Sequence, residues 1–327
     1  MAAYTTIDDP SAYFKVQLYT GDGSTPSITF DDTDTDMQPD LVWIKNRDAT
    51  DAHCLFDAVR GATEVLHADA ITAEATDADT LTSFDSDGFA LGADVKVNTN
   101  TEKYVAWCWK ESATAGIDIA SYTGNGTADT TITTGFQPEY TVIKCRDQGR
   151  HWRNYHHKNS PPTSVNFDTY HNQTVADTLT SFTATGFVLG ADDIAAWGVN
   201  ESPDTYVAYS FKSIQGFSKF GSFESNGNAD NVFCYLGFRP ALVMTKSIDS
   251  TSSWQMFDNK REGYNVDNDA LVAEATTAEV TTDYIDLLSN GFKVRTTSDP
   301  GVAETYIFAA WAEAPFCNSS GVPCNAR

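Results

Sequence analysis

The sequence predicts an all-β protein, three tandem homologous β-sandwich domains of the jelly-roll or lectin-like kind. Three observations predict it. Four sequence markers recur in the same order three times, about 100 residues apart. Within each copy the apolar residues come in short runs rich in aromatic and β-branched side chains. Glycine-containing turn signals punctuate the chain every ~8 to 15 residues, the rhythm of a sandwich or barrel.

The first marker is a turn: YTGDG from Tyr19, YTGNG from Tyr122 and FESNG from Phe223. Its pairs Asp22-Gly23, Asn125-Gly126 and Asn226-Gly227 suit turns that need a positive φ. The second is a strand opening: QPDLVWIK from Gln38, QPEYTVIK from Gln137 and RPALVMTK from Arg239. Pro39, Pro138 and Pro240 head these strands, where a missing N–H does least harm. The third is a turn with its strand: SDGFALGAD from Ser86, ATGFVLGAD from Ala184 and SNGFKVRTT from Ser289. Here too Asp87-Gly88 and Asn290-Gly291 read as turns. The fourth is a closing strand: KYVAWCWKE from Lys103, TYVAYSFKS from Thr205 and TYIFAAWAE from Thr305.

The markers place the copies at 14–112, 116–213 and 217–316, with an N-terminal arm at 1–13 and a tail at 317–327. Ser112–Gly116 and Ser213–Gly216 are linkers short enough to hold neighbours close. Each copy is expected to bury its own small two-sheet core. Helical signals are weak. Asp69–Asp79 and Asn268–Glu279 are rich in Ala, Glu and Thr, and their Thr content favours a loop or an edge strand.

The chain has 327 residues, 41% of them hydrophobic and 12% aromatic, ample for packed cores. It has 21 Lys+Arg against 45 Asp+Glu, a formal net charge of −24. Such a surface repels polyphosphate and excludes a nucleic-acid partner; its plain effect is solubility. No apolar run is long enough to span a membrane. The opening MAAYTTIDDPSAYF has neither a basic n-region nor an apolar h-region, so no secretory signal is expected and folding belongs to a reducing cytosol. None of the six cysteines forms a C-x-x-C pair. Cys108 and Cys145 read as small buried hydrophobes. A Cys317–Cys324 disulfide would close a short loop but is opposed by the compartment.

Candidate sites are few. The run Asp31-Asp32-Thr33-Asp34-Thr35-Asp36 looks like the start of a calcium loop, but counting from Asp32 the sixth position is Met37 and the twelfth Trp43, so it is no EF-hand. A calcium site of another kind at Asp32, Asp34 and Asp36 competes with a plain solvated loop. The segment RDQGRHWRNYHHK gathers Arg146, Arg150, His151, Trp152, Arg153 and Tyr155, together with His156, His157 and Lys158. The first and third copies carry Leu55-Phe56-Asp57 and Met256-Phe257-Asp258 there, so the middle copy is specialised. The segment reads as a partner-contact patch, with Trp197 beside it, or as an exposed salt-bridged strand. His156 and His157 would face opposite sides of a strand, which opposes joint metal binding. Trp43, Trp107 and Trp311 read as core filling.

No catalytic residue is assigned and no cofactor is expected. G-x-S-x-G, phosphate-loop and dinucleotide fingerprints are absent. Paired carboxylates do not recur across copies: Asp57 and Asp258 face His156 in the middle copy, and Asp94 and Asp192 have Thr297 near their place in the third.

TTIDDPSAYF from Thr5, QPDLVWIKNRDATDAH from Gln38, FDAVRG from Phe56, SFDSDGFALG from Ser83, YVAWCWKE from Tyr104 and GVPCNAR from Gly321 carry a resemblance. Over nearly its whole length the chain resembles virion structural proteins of marine tailed bacteriophages, an uncharacterised repeated phage domain found on tail-fibre-like and appendage proteins. The resemblance implies a β-sandwich on the outside of a particle assembled in the host cytoplasm, and it transfers no catalytic residue. The expected role is a tail-associated fibre or knob contacting the host surface. Capsid decoration on the outer shell is the alternative, three similar domains in one chain mimicking a trimer on a local three-fold axis. A surface-glycan depolymerase is the third reading. Expected partners are other virion proteins, a host surface glycan or protein receptor, and further copies of the chain in a homo-oligomer.

Overall fold

A computed structural model describes residues 3–30, 35–159, 163–167, 172–174, 178–191, 197–261 and 269–324. The chain is all-β, as its patterning predicts. The first strands are β1 (Phe14–Thr20), β2 (Ser27–Thr29), β3 (Leu41–Asn46), β4 (Cys54–Asp57), β5 (Gly61–His67), β6 (Ala75–Thr76), β7 (Leu81–Asp85), β8 (Gly88–Leu91) and β9 (Lys103–Trp109). They build a large sheet in the order β1-β9-β3-β4-β5-β6 and a small one in the order β2-β8-β7.

The order then repeats. β10 (Ile117–Thr123), β11 (Thr130–Thr133), β12 (Tyr140–Cys145), β13 (Arg153–His156), β14 (Thr163–Val165), β15 (Asn172–Thr174), β16 (Leu179–Thr183), β17 (Gly186–Leu189) and β18 (Thr205–Phe211) follow. They form sheets β10-β18-β12-β13-β14-β15 and β11-β17-β16. The last group is β19 (Ser218–Glu224), β20 (Phe233–Tyr235), β21 (Phe238–Ser247), β22 (Gln255–Asp258), β23 (Leu271–Val272), β24 (Ile285–Leu288), β25 (Gly291–Val294) and β26 (Thr305–Pro315). Its sheets are β19-β26-β21-β22-β23 and β20-β25-β24. We call each large sheet with its small sheet a unit. Pro240 lies inside β21 rather than ahead of it, and the ladder to β26 shifts register there to accommodate the missing N–H.

The turn glycines serve two purposes. Gly23, Gly126 and Gly227 hold φ of +67°, +68° and +75°, as the turn pairs require. Gly88, Gly186 and Gly291 are needed for contact: a Cβ would lie 2.0, 1.9 and 2.0 Å from a carbonyl oxygen of β2, β11 and β20 respectively.

The closing strands explain the packing. In β9 the side chains of Tyr104, Ala106 and Cys108 join Phe89 and Leu91 in a core of the first unit. The alternate residues Val105, Trp107 and Trp109 face the other way, into a different cluster. β18 and β26 divide in the same way, with Tyr206 and Ala208 or Tyr306, Phe308 and Ala310 on the unit's own side. Val207, Tyr209 and Phe211, and Ile307, Ala309 and Trp311, enter the cluster that Trp107 and Trp109 enter. Each copy buries its expected core, and a fourth core is common to all three. The large sheets are covered on both faces, which is why their central strands read as near-continuous apolar runs.

The fourth core is organised around a triangle of equivalent residues. Trp109 and Trp311 have ring centroids 5.3 Å apart, Phe211 and Trp311 5.3 Å, and Trp109 and Phe211 6.4 Å. One residue from each closing strand therefore meets the others on a pseudo-three-fold axis. The arm reaches the third unit and the tail: Tyr4 donates its hydroxyl to the Gly237 carbonyl at 2.8 Å, and Ser319 N donates to Asp8 Oδ1 at 2.6 Å.

Candidate functional site

The segment 146–158 lies where the middle unit meets its neighbours. His53, Trp152 and Trp254 are equivalent, each standing just before β4, β13 or β22. Each donates a ring N–H to a backbone carbonyl of the adjoining unit. Trp152 Nε1 donates to His67 O at 2.7 Å, Trp254 Nε1 to Asn166 O at 2.7 Å, and His53 Nε2 to Val272 O at 3.1 Å. The direction runs middle to first, third to middle and first to third, so three head-to-tail seams close a ring.

Asp57, His156 and Asp258, the last residues of β4, β13 and β22, form a second equivalent set. Asp57 is ion-paired with Arg60 and accepts the Tyr209 hydroxyl at 2.7 Å. Asp258 meets Arg261 at 2.5 Å and accepts Trp107 Nε1 at 3.1 Å. Ala309 takes the place of Trp107 and Tyr209 in β26 and offers no donor, and it is against β26 that the middle unit has His156. Its Nε2 donates to Phe308 O at 3.2 Å while Nδ1 accepts the Lys158 N–H at 3.1 Å. These partners fix the neutral tautomer. Burial, with His157 alongside, holds the His156 pKa down at about 3.

The same seams take in charged residues. Arg146 pairs with Glu74 of the first unit at 2.7 Å and Arg47 with Glu279 of the third at 2.6 Å. Lys45 and Lys144 are fully buried and donate to Thr276 O at 3.1 Å and Ile71 O at 3.2 Å. Burial pushes the Lys45 ammonium down to about 8.

The predicted contact patch is therefore largely interior: Trp152 and Arg146 reach the first unit, while Arg150 and Arg153 meet residues of the middle unit itself. Trp152, Arg153 and Tyr155 are 0% exposed and Arg150 6%. β13 is buried along its length because β12 and β14 flank it and apolar clusters cover both faces. The exposed, salt-bridged strand expected there is corrected accordingly. Arg150 meets Asp204 at 2.8 Å and is also paired with Glu201. Arg153 lies 5.2 Å from the Trp197 ring and donates Nη1 to Asn166 Oδ1 at 3.3 Å. His151 stacks on Trp197 with centroids 4.0 Å apart. Trp197 is half-buried. Trp43, Trp107 and Trp311 fill the common core.

Of the calcium candidates, Asp36 is exposed, while Asp32 and Asp34 lie outside the described residues. Among the described residues no group of three or more His, Cys, Asp or Glu is placed to hold a metal ion. Cys317 and Cys324 are unbonded. No helix among the described residues is long and apolar enough to cross a membrane. Sequence reasoning missed the inter-unit roles of Asp57, Asp258 and the two lysines. The D-x-x-R spacing of Asp57–Arg60 and Asp258–Arg261, broken at His156–Asn159, is the signal that marks the acidic pair.

Residues 9–315 match the family defined by a domain of unknown function, DUF7483. The chain belongs to that family. The DUF7483 match spans all three sheet pairs, the same stretch that the ring of seams ties together. No curated protein and no solved structure matches the chain.

Proposed function

We propose that this DUF7483 chain is a structural protein of a bacteriophage virion, a tail-associated knob that contacts the host surface. The observation that carries the reading is the triangle of Trp109, Phe211 and Trp311, which makes one chain a pseudo-three-fold block. Such a block matches a three-fold partner without assembling three chains. Its seams are closed by internal hydrogen bonds and ion pairs, leaving the outward loops for recognition on a rigid scaffold. Many copies per particle turn weak contacts into firm attachment. The resemblance to marine phage virion proteins supports the setting, and the acidic surface supports protein or glycan partners over nucleic acid.

The same triangle favours a second reading, decoration of a capsid at a local three-fold axis. The depolymerase reading has less support: Asp57 and Asp258 are each closed in an arginine pair inside a seam, not turned to a cleft. Cryo-EM of purified virions with the chain labelled tests the proposal. Label at the tail is expected. Label spread over the shell would replace the knob by a decoration protein, and particles without label would end both readings.

A further inference from the structure

The three units also differ on their outward faces. β2 turns Ser27 and Thr29 to solvent, and β11 turns out Thr131 and Thr133. The equivalent positions of β20 are Phe233 and Tyr235, 42% and 51% exposed. Register fixes the equivalence, since Thr29, Thr133 and Tyr235 pair with Gly88, Gly186 and Gly291. A lone exposed aromatic is ordinary, but two on one short strand where the sister strands carry Ser and Thr mark a specialised face.

These rings line a groove of about 820 Å³ between β20 and β19, a volume suited to a small ligand. Tyr4 from the arm forms another part of its wall, with its hydroxyl 3.3 Å from that of Tyr235. Gly221 and Phe308 also line it, and a Cβ on Gly221 would come 2.6 Å from the Phe308 ring, so bare backbone covers that ring.

Two cations share the groove, Lys158 from the middle unit and Lys219. Lys219 Nζ lies 5.5 Å from the Tyr235 ring centroid and donates to Tyr235 O at 2.7 Å. Burial, and then the like charge of Lys158, pushes the Lys219 ammonium down. Glu139 on the same wall is engaged by Ser213 and lies 3.8 Å from His157. Glu224 is five residues along β19 from Lys219, roughly 16 Å. In a chain with 45 acidic and 21 basic residues, two lysines beside exposed aromatics are a local concentration of positive charge.

We propose that this groove binds an acidic glycan, with sugar rings stacked on Phe233 and Tyr235 and a carboxylate or sulfate held by Lys158 and Lys219. The inference rests on the host-contact reading for its setting and names the chemistry of that contact. Aromatic faces take the C–H faces of sugar rings, and the ammonium groups supply the charged end.

Calorimetric titration of the full chain with oligogalacturonate and with a chondroitin sulfate oligosaccharide tests it, against an uncharged malto-oligosaccharide. At least one acidic probe is expected to bind, more tightly than the neutral one and less so as salt rises. Phe233→Ser combined with Tyr235→Thr should weaken binding roughly ten-fold or more. It should leave the melting temperature unchanged, because Ser and Thr are what the sister strands carry. Lys158→Gln should weaken the acidic probes alone. Failure of both acidic probes to bind, or equal binding by the double variant, would overturn the proposal. So would a change in oligomeric mass of the double variant without glycan binding, which would assign the aromatics to self-contact. Label at the virion tail with no glycan binding would remove this inference and leave the knob reading standing.

Discussion

His156 and His53 sit in the same electrostatic trap. Each ring donates through Nε2 to a carbonyl of the next unit and accepts at Nδ1, from the Lys158 N–H or from Trp43 Nε1 at 2.9 Å. A proton on Nδ1 would face a donor in a dry seam. Burial accordingly lowers both pKa values, that of His156 to about 3. An unfolded histidine takes its proton near pH 6.5, so below that pH the unfolded chain binds protons that the folded seam refuses. The stability supplied by neutral histidines is complete above this range and is lost as pH falls, by about 1.4 kcal/mol per pH unit for each. Two carboxyls oppose the trend. Burial raises Asp118 to about 6, with Glu111 adding to it, and raises Glu274 to about 7. Their folded forms gain protons before the unfolded ones, so they recover stability as pH falls through the same window. His156→Gln keeps an N–H for Phe308 O and removes one titrating group. Urea unfolding at about pH 7.5 and about pH 5 should show a smaller acid-side loss in the variant. An unchanged difference would mean that folded His156 takes up its proton in this range just as the unfolded chain does.

At the scale of the strand, β4, β13 and β22 show how repeats diverge in concert. β4 and β22 end in an aspartate held by an arginine three residues on, and each aspartate accepts a side-chain donor from a neighbour's closing strand. β13 ends in His156, which β26 meets with Ala309 and the Phe308 carbonyl instead. His156→Asp would bury a carboxylate against that carbonyl, with Asn159 where an arginine is needed, and should cost about 3–5 kcal/mol in denaturant unfolding. Adding Asn159→Arg should recover part of the loss, whereas a neutral effect of the single change would sink the account. Tyr209→Phe removes a donor from buried Asp57 and should cost about 1.5–3 kcal/mol in the same assay. The repeats, turns and closing strands were legible in the sequence because turn glycines and short apolar runs rich in aromatic and β-branched residues are local signals. The seams were not. RDQGRHWRNYHHK reads as surface by its charge, yet Arg150 and Arg146 are taken up by carboxylates 51 to 72 residues away in sequence. One clue to the common core lies in the sequence itself: LVWI and YVAWCW have no polar alternate residue, so neither face of those strands is meant for water.

For the whole molecule, the common core decides what unfolds together. An isolated middle unit would expose Tyr140, Val142, Trp152, Val207, Tyr209 and Phe211, all buried in that core. Fully burying a large apolar side chain is worth about 1.5–3 kcal/mol, so a unit alone forfeits most of a small domain's stability. The intact chain should therefore melt in one calorimetric transition, and residues 116–213 alone should show no cooperative one. The axis gives the sharper test. Among the described residues the buried indole N–H groups of Trp311 and Trp109 meet no acceptor, and the middle unit fills the equivalent place with Phe211. Trp311→Phe gives up an unsatisfied donor along with some volume, and its cost should stay below about 1.5 kcal/mol. Trp311→Ala opens a cavity where three sheets meet and should cost about 3–5 kcal/mol. Because the cavity belongs to no single unit, amide exchange should rise together in β9, β18 and β26. Faster exchange confined to β26 would mean that each unit holds its own stability and the common core only joins them.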